Sequence, residues 1–326
     1  MTRTAVRWMA LAALVCLARM APLYADEPQP LYNQISNIVY HETDGIGLVM
    51  DIFTPTGPSN GIGVIDVISG AWKSNRSMIE DHRRAGIFDV VCGRGYTVFA
   101  IRPGSNSKFT IFEMLDHLHR GIRWVKAHAD EYGIDPDRLG ITGASAGGHL
   151  ASLAVVTAKD GNPSASDPLA RHDTRLMAAA VFFPPTDFLN WRLAGVKLRV
   201  EPGGATAKML AQMICPFYTG NDKAIDEFCS RLEEISPARL VTGREPPFLI
   251  IHGDADQVVP LEQSEILLAA LQEKGVTAEL IVKPGGGHPW PTIAEEVAIA
   301  IDWLEEKLGL PATAAEAATA GGSASR

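Results

Sequence analysis

Apolar residues along the chain fall into short runs closed by turn residues, alternating with longer stretches of helical spacing. Ile35 to Tyr40 and Leu48 to Phe53 are strand-like, and Asp44-Gly45-Ile46-Gly47 between them predicts a hairpin. Gly63 to Ile68 is apolar apart from Asp66 and closes on Ser69-Gly70, the pattern of a strand buried on both faces. Gly95 to Ile101 is the next such run, ended by Arg102-Pro103-Gly104. From Phe112 to Tyr132 the period changes. Leu115, Leu118, Ile122, Trp124 and Val125 form the apolar stripe of a helix that Gly133 stops, and Asp135-Pro136-Asp137 makes the turn after it. Arg138 to Thr142 is a short strand, followed by a glycine-rich turn and a helical run from His149 to Ala158. Ala178 to Phe183, Phe248 to Ile251 and Ala278 to Val282 complete the strands, with helices at Leu261 to Lys274 and Ala294 to Leu308.

Strand followed by helix, repeated, predicts an α/β fold with a mostly parallel central sheet flanked by helices. The segment at about 187–244 breaks the rhythm and is long for a connection, so it is expected to form a cap insertion over the active face. Residues 26–310 then read as one domain. The tail 311–326, rich in Ala, Gly and Ser, is expected to be disordered.

Composition changes this picture little and narrows the partners. The 326 residues are 46% hydrophobic and 21% charged, which suits one large domain. A net charge of -9 with no basic block argues against nucleic acid or an anionic membrane surface as partner. Residues 1–25 read as a signal peptide. Arg3 and Arg7 precede an apolar run from Trp8 to Ala18, and small residues lead to Ala25. The run is short for a bilayer, so an exported protein, periplasmic or secreted, with no stable membrane span after signal removal is expected. Cys92, Cys215 and Cys229 remain in the mature chain. Cys215 and Cys229 could pair in an oxidising compartment or stay as two thiols. No Cys-x-x-Cys pair is present, and neither a metal nor a cofactor is expected. The sequence leaves the oligomeric state unknown.

The candidate chemistry centres on Gly143-Ala144-Ser145-Ala146-Gly147, placed between a strand and a helix. A sharp turn there lifts Ser145 above the sheet edge, and its small neighbours let the backbone cross closely. A hydroxyl is a weak nucleophile at neutral pH and needs a base, an acid to orient that base, and donors for the oxyanion. His288, after Pro284-Gly285-Gly286-Gly287, sits on a loop able to bring an imidazole back over Ser145. Asp254 and Asp256, after the strand ending at Ile251, both offer a carboxylate. Asp254 is also suited to holding its own turn. Backbone amides of Gly70 and Ala71, joined by that of Ala146, are the expected oxyanion hole. His149, one helical turn after Ser145, reads as a residue that packs beside the site or supports it from behind rather than as the base, and His117, His119 and His128 as surface or partly buried.

These stretches resemble the α/β-hydrolase superfamily, within it the exported esterase/lipase branch near acetyl esterases. The resemblance is carried by Gly121 to His128, Tyr132 to Arg138, Gly143 to Ala151, Pro184-Pro185-Thr186-Asp187, His252 to Pro260 and Gly287-His288. It implies a serine carboxylesterase mechanism with Ser145, Asp256 and His288 as the triad, and so favours Asp256 over Asp254. Esterases of this branch usually carry His-Gly-Gly-x-Trp at the oxyanion loop, where this chain has Ile68-Ser69-Gly70-Ala71-Trp72. Small-molecule or carbohydrate esters with short acyl groups are the expected substrates. A prolyl-oligopeptidase-like peptidase and a non-catalytic binding protein on the same fold are the alternatives.

Overall fold

A computed structural model of the chain describes residues 30–193, 196–197, 211, 223, 227 and 229–309. The expected signal peptide, Cys215 and the tail from 311 lie outside the described residues, as does most of the segment between 194 and 228.

Strands β1 (Tyr32–Thr43) and β2 (Ile46–Pro55) form the expected hairpin. Its two-residue turn, Asp44 and Gly45, has positive φ at both positions (51° and 70°), the geometry whose twist matches that of the paired strands. The strands β3 (Gly63–Val67), β4 (Thr97–Ile101), β5 (Leu139–Ala144) and β6 (Ala178–Phe182) follow. A two-stranded ribbon of β7 (Arg192–Leu193) and β8 (Val196–Lys197) precedes β9 (Phe248–Gly253) and β10 (Ala278–Lys283). The main sheet of the described residues has eight strands in the order β1-β2-β4-β3-β5-β6-β9-β10. β2 runs antiparallel to β1 and β4, and all other pairings are parallel.

Helices cover both faces. On one lie α3 (Ile111–Ala127), α4 (Ala146–Val156) and α5 (Glu262–Glu273), whose Leu118, Ile122, Leu150 and Leu267 pack on Ile65, Val67 and Ile141. On the other lie α1 (Arg76–Arg84), α2 (Ile87–Gly93) and α6 (Ile293–Lys307), whose Ile79, Phe88, Val297 and Leu304 pack on Val64, Ile68 and Leu249. Each such fully buried aliphatic side chain contributes about 2 kcal/mol. Among the described residues no helix is long and apolar enough to cross a membrane.

The expected helix from Phe112 to Tyr132 divides. Thr110 and Glu113 make a capping box that starts α3 one residue early, and Ala129–Tyr132 is a 3-10 turn stopped by Gly133 at φ 62°. The helix expected from His149 begins at Ala146, directly after the serine. Helices α1 and α2, which the apolar pattern does not announce, fill the stretch between the third and fourth strands of the chain. The described ends of the insertion are tied into the domain. Thr186 and Asp187 donate their amides to Oε1 of Gln263 on α5, and Arg239 binds Asp187 at 2.8 Å. Leu232, Ile235 and Val241 are buried in the core on the α4 face.

Candidate active site

Ser145 occupies the one residue between β5 and α4, with φ 54° and ψ -121°. A serine in that region is strained by about 1–3 kcal/mol and persists only where its surroundings fix it. They do so through its amide, which donates to the Phe182 carbonyl at 2.9 Å, and its carbonyl, which accepts from the His149 amide at 2.8 Å. The flanking glycines are required by close approach. A Cβ on Gly147 would stand 2.3 Å from the Val67 carbonyl oxygen, and one on Gly143 2.6 Å from the Gly147 carbonyl.

The structure brings three of the expected residues together. His288 Nε2 lies 2.8 Å from Ser145 Oγ, and His288 Nδ1 lies 2.6 Å from Asp256 Oδ2. The other carboxylate oxygen of Asp256 accepts from the amides of Val258 and Val259 at 2.8 and 2.9 Å. His252 Nε2 stands 3.4 Å from Oδ2 and donates to the Val259 carbonyl at 2.9 Å. Its Nδ1 accepts from the Ser264 hydroxyl at 2.6 Å. Burial alone would push the Asp256 pKa up. Hydrogen bonds from His252, His288 and the Val259 amide outweigh it and hold the carboxyl well below its ordinary value. Asp254 departs from the expected role as a clamp on its own turn. Its Oδ1 accepts from the Gly285 amide at 2.6 Å, fastening the loop that carries His288.

The oxyanion loop follows β3 and needs a correction. The Gly70 amide, expected to face the reacting centre, donates to the Lys73 carbonyl at 3.0 Å and is turned into its own loop. Among the described residues the amides of Ala71 and Ala146 enter no such turn bond. Ala71 and Trp72 both have positive φ (47° and 55°), costly for residues with a Cβ. Asn106 holds this turn from the next loop: its amide donates to the Trp72 carbonyl at 2.8 Å and its side chain to the Ala71 carbonyl at 3.2 Å. Trp72 Nε1 donates to His149 Nδ1 at 3.1 Å, and His149 Nε2 donates to the Ile235 carbonyl at 2.8 Å. His149 is fully buried, and that burial lowers its pKa to about 4, so the ring stays neutral with Nδ1 free to accept. Asn106 was not announced by the sequence pattern, and His149 was announced only as a packing or supporting residue, without its partners. An amide and an imidazole acting on a turn distant in the chain leave no local signature.

Ser145 and His288 open onto a cleft of about 690 Å³ whose lining includes Gly70, Ala71, Met78, His82, Phe183 and Trp290. His117 and His119 are buried, more so than expected, and His128 is half-buried. His117 donates from Nδ1 to the Pro103 carbonyl, while Glu113 is spent on capping α3. Among the described residues no three His, Cys, Asp or Glu side chains converge as a metal site.

A sheet of this order, with its serine on a strand-to-helix turn, defines the α/β-hydrolase fold. The chain belongs to the BD-FAE family, whose model matches residues 50–271. It is similar to the esterase LipQ of Mycobacterium tuberculosis, 28% identical over 235 residues that cover 71% of this chain and 51% of that one. The chain spans about half the length of the curated relatives it matches. Among solved structures, it resembles a truncated carbohydrate esterase from gut microbiota, with TM-score 0.68, 25% identity, and coverage of 86% of this chain and 98% of the other. The thermophilic esterase Est2 of Thermogutta terrifontis shares the fold at 23% identity and TM-score 0.63, covering 87% of this chain and 95% of its own.

Proposed function

We propose that the protein hydrolyses carboxylic esters through an acyl-enzyme on Ser145, with short acyl groups and carbohydrate-linked esters among its substrates. The observation that carries this is the unbroken chain of hydrogen bonds from Ser145 to His288 to Asp256, at 2.8 and 2.6 Å, opening onto the cleft. His288 Nε2 takes the Ser145 proton as Oγ attacks the acyl carbon, and the amides of Ala71 and Ala146 receive the developing oxyanion. His288 then returns the proton to the departing alcohol. Water, deprotonated by the same nitrogen, releases the carboxylic acid. Asp256 keeps the Nδ1 proton in place and stabilises the imidazolium that forms at each step. The ester-hydrolase names of the LipQ relative and of the gut carbohydrate esterase support the same chemistry.

Purified protein is expected to hydrolyse short-chain aryl esters, and Ser145→Ala to lower kcat by about 10³-fold or more. No turnover by the wild type, or undiminished turnover by Ser145→Ala, overturns the reading. The basic and apolar pattern of residues 1–25 supports export, with the mature chain starting at Asp26. An intact mass of the protein recovered from outside the cytoplasm tests that boundary.

A further inference from the structure

Strand β3 carries one charged side chain, Asp66, and it is wholly buried. A carboxylate in that position needs a partner, and His82 on α1 provides one, with Nδ1 2.7 Å from Asp66 Oδ2. This bond fixes the ring: Nδ1 holds a proton toward Asp66, and Nε2 makes no hydrogen bond to the described residues. The ring is nearly buried, with 12% of its side chain exposed, and it lines the cleft that contains Ser145. Ser69 Oγ, on the same lining, is also buried without a partner. The rest of the lining around them is largely apolar, including Met78, Ile87, Phe183 and Trp290. In an apolar cleft, a few polar atoms left unsatisfied by the protein are what orient a ligand.

We propose that His82, held by Asp66, is a substrate-binding residue whose Nε2 hydrogen-bonds a hydroxyl on the ester beyond the scissile group, so that the cleft selects esters of sugars or polyols over alkyl esters. The proposal rests on the ester-hydrolase reading and names the substrate class of the same site. A hydroxyl is the group that suits Nε2 in either protonation state. It donates to the lone pair of the neutral ring and accepts from the imidazolium. Burial disfavours charge on His82, but the Asp66 carboxylate outweighs it and raises the imidazole pKa. The other charged groups on this wall, Asp81 and Arg84, are paired with each other on α1.

The test compares glyceryl monoacetate with propyl acetate, which differ by two hydroxyls, in wild type, His82→Phe and His82→Gln. The preference for the glyceryl ester, as a ratio of kcat/KM values, is expected to fall about tenfold in His82→Phe through KM, and to recover in part in His82→Gln. An unchanged ratio, with both esters slowed alike, overturns the proposal and leaves His82 as a structural counterion. Should His82→Phe fail to fold, the imidazole ¹⁵N shift of His82 in the wild-type chain decides. It is expected to move with added glycerol and not with equal 1-propanol, and an equal or absent response to both overturns the proposal. Failure of the underlying reading is distinct, because the wild type would then turn over neither ester while the ¹⁵N shift still reports on His82.

Discussion

Asp256 engages its neighbours through both carboxylate oxygens. One receives the amides of Val258 and Val259, the other receives His288 Nδ1 with His252 close by. In Asp256→Asn the amide nitrogen can replace the oxygen facing His288, where it would donate to Nδ1 and place the ring proton on Nε2. His288 would then present a donor to Ser145 in place of a lone pair. Steady-state assays are expected to show kcat lowered by about 10⁴-fold, the cost such a tautomer change has elsewhere, with KM little changed. A second prediction concerns Trp72. Trp72→Phe keeps an aromatic ring in the buried position and removes the bond to His149. With Ala71 and Trp72 held in costly left-handed conformations, kcat is expected to fall about tenfold as the Ala71 amide loses its aim. A fall in KM alone would contradict that.

At the scale of elements, the two loops that carry Asp256 and His288 are in backbone contact. A Cβ on Gly253 would stand 2.2 Å from the Gly286 carbonyl oxygen. Gly253→Ala is therefore expected to push the His288 loop away from Ser145, lowering kcat more than the melting temperature, as paired kinetic and thermal measurements would show. The core strands and the long helices were readable because their apolar spacing is dictated by burial: every position of β3, β4 and β6 is buried. Helix α1 escaped for the opposite reason. Its sequence, Arg76 to Arg84, buries Ile79 alone and has no stripe to detect. Helix α2, of seven residues, is too short for its period to emerge. Ser145 and His288 stood out through the order and placement of the turns around them. The turn after Ile251 offered Asp254 and Asp256 alike, and only the family resemblance favoured Asp256. Asp66 was visible as the break in an apolar strand, but the residue that answers it lies on the helix the pattern missed.

For the whole molecule, buried neutral histidines set a limit on acid stability. Burial lowers the pKa of His149 to about 4 and that of His119 to about 3, against 6.5 in an unfolded chain. Between pH 6.5 and about 4 the unfolded chain binds protons that these native rings refuse, so their contribution to stability falls as pH falls through that window and is level above it. For His149 the full loss amounts to about 3 kcal/mol. Asp256, held below its ordinary pKa, adds a further loss once the pH drops below about 4, where the unfolded carboxylate takes its proton. Urea midpoints are expected to decline steadily from about pH 6 toward pH 4.5, and a midpoint that holds or rises over that range would contradict the assignment.

The bond from His149 to Ile235 has a bearing on how this molecule can diverge. The insertion's hydrogen bond to His149 comes from a main-chain oxygen, while its Phe188 ring packs edge-on against His149 and beside Trp72. The side chain at 235 can thus be exchanged for another without losing that acceptor, whereas Phe188 is held by its ring contacts with His149 and Trp72. What cannot drift is the point at which the backbone returns. Insertions and deletions should be tolerated upstream, and a single-residue change in length next to Ile235 should cost turnover.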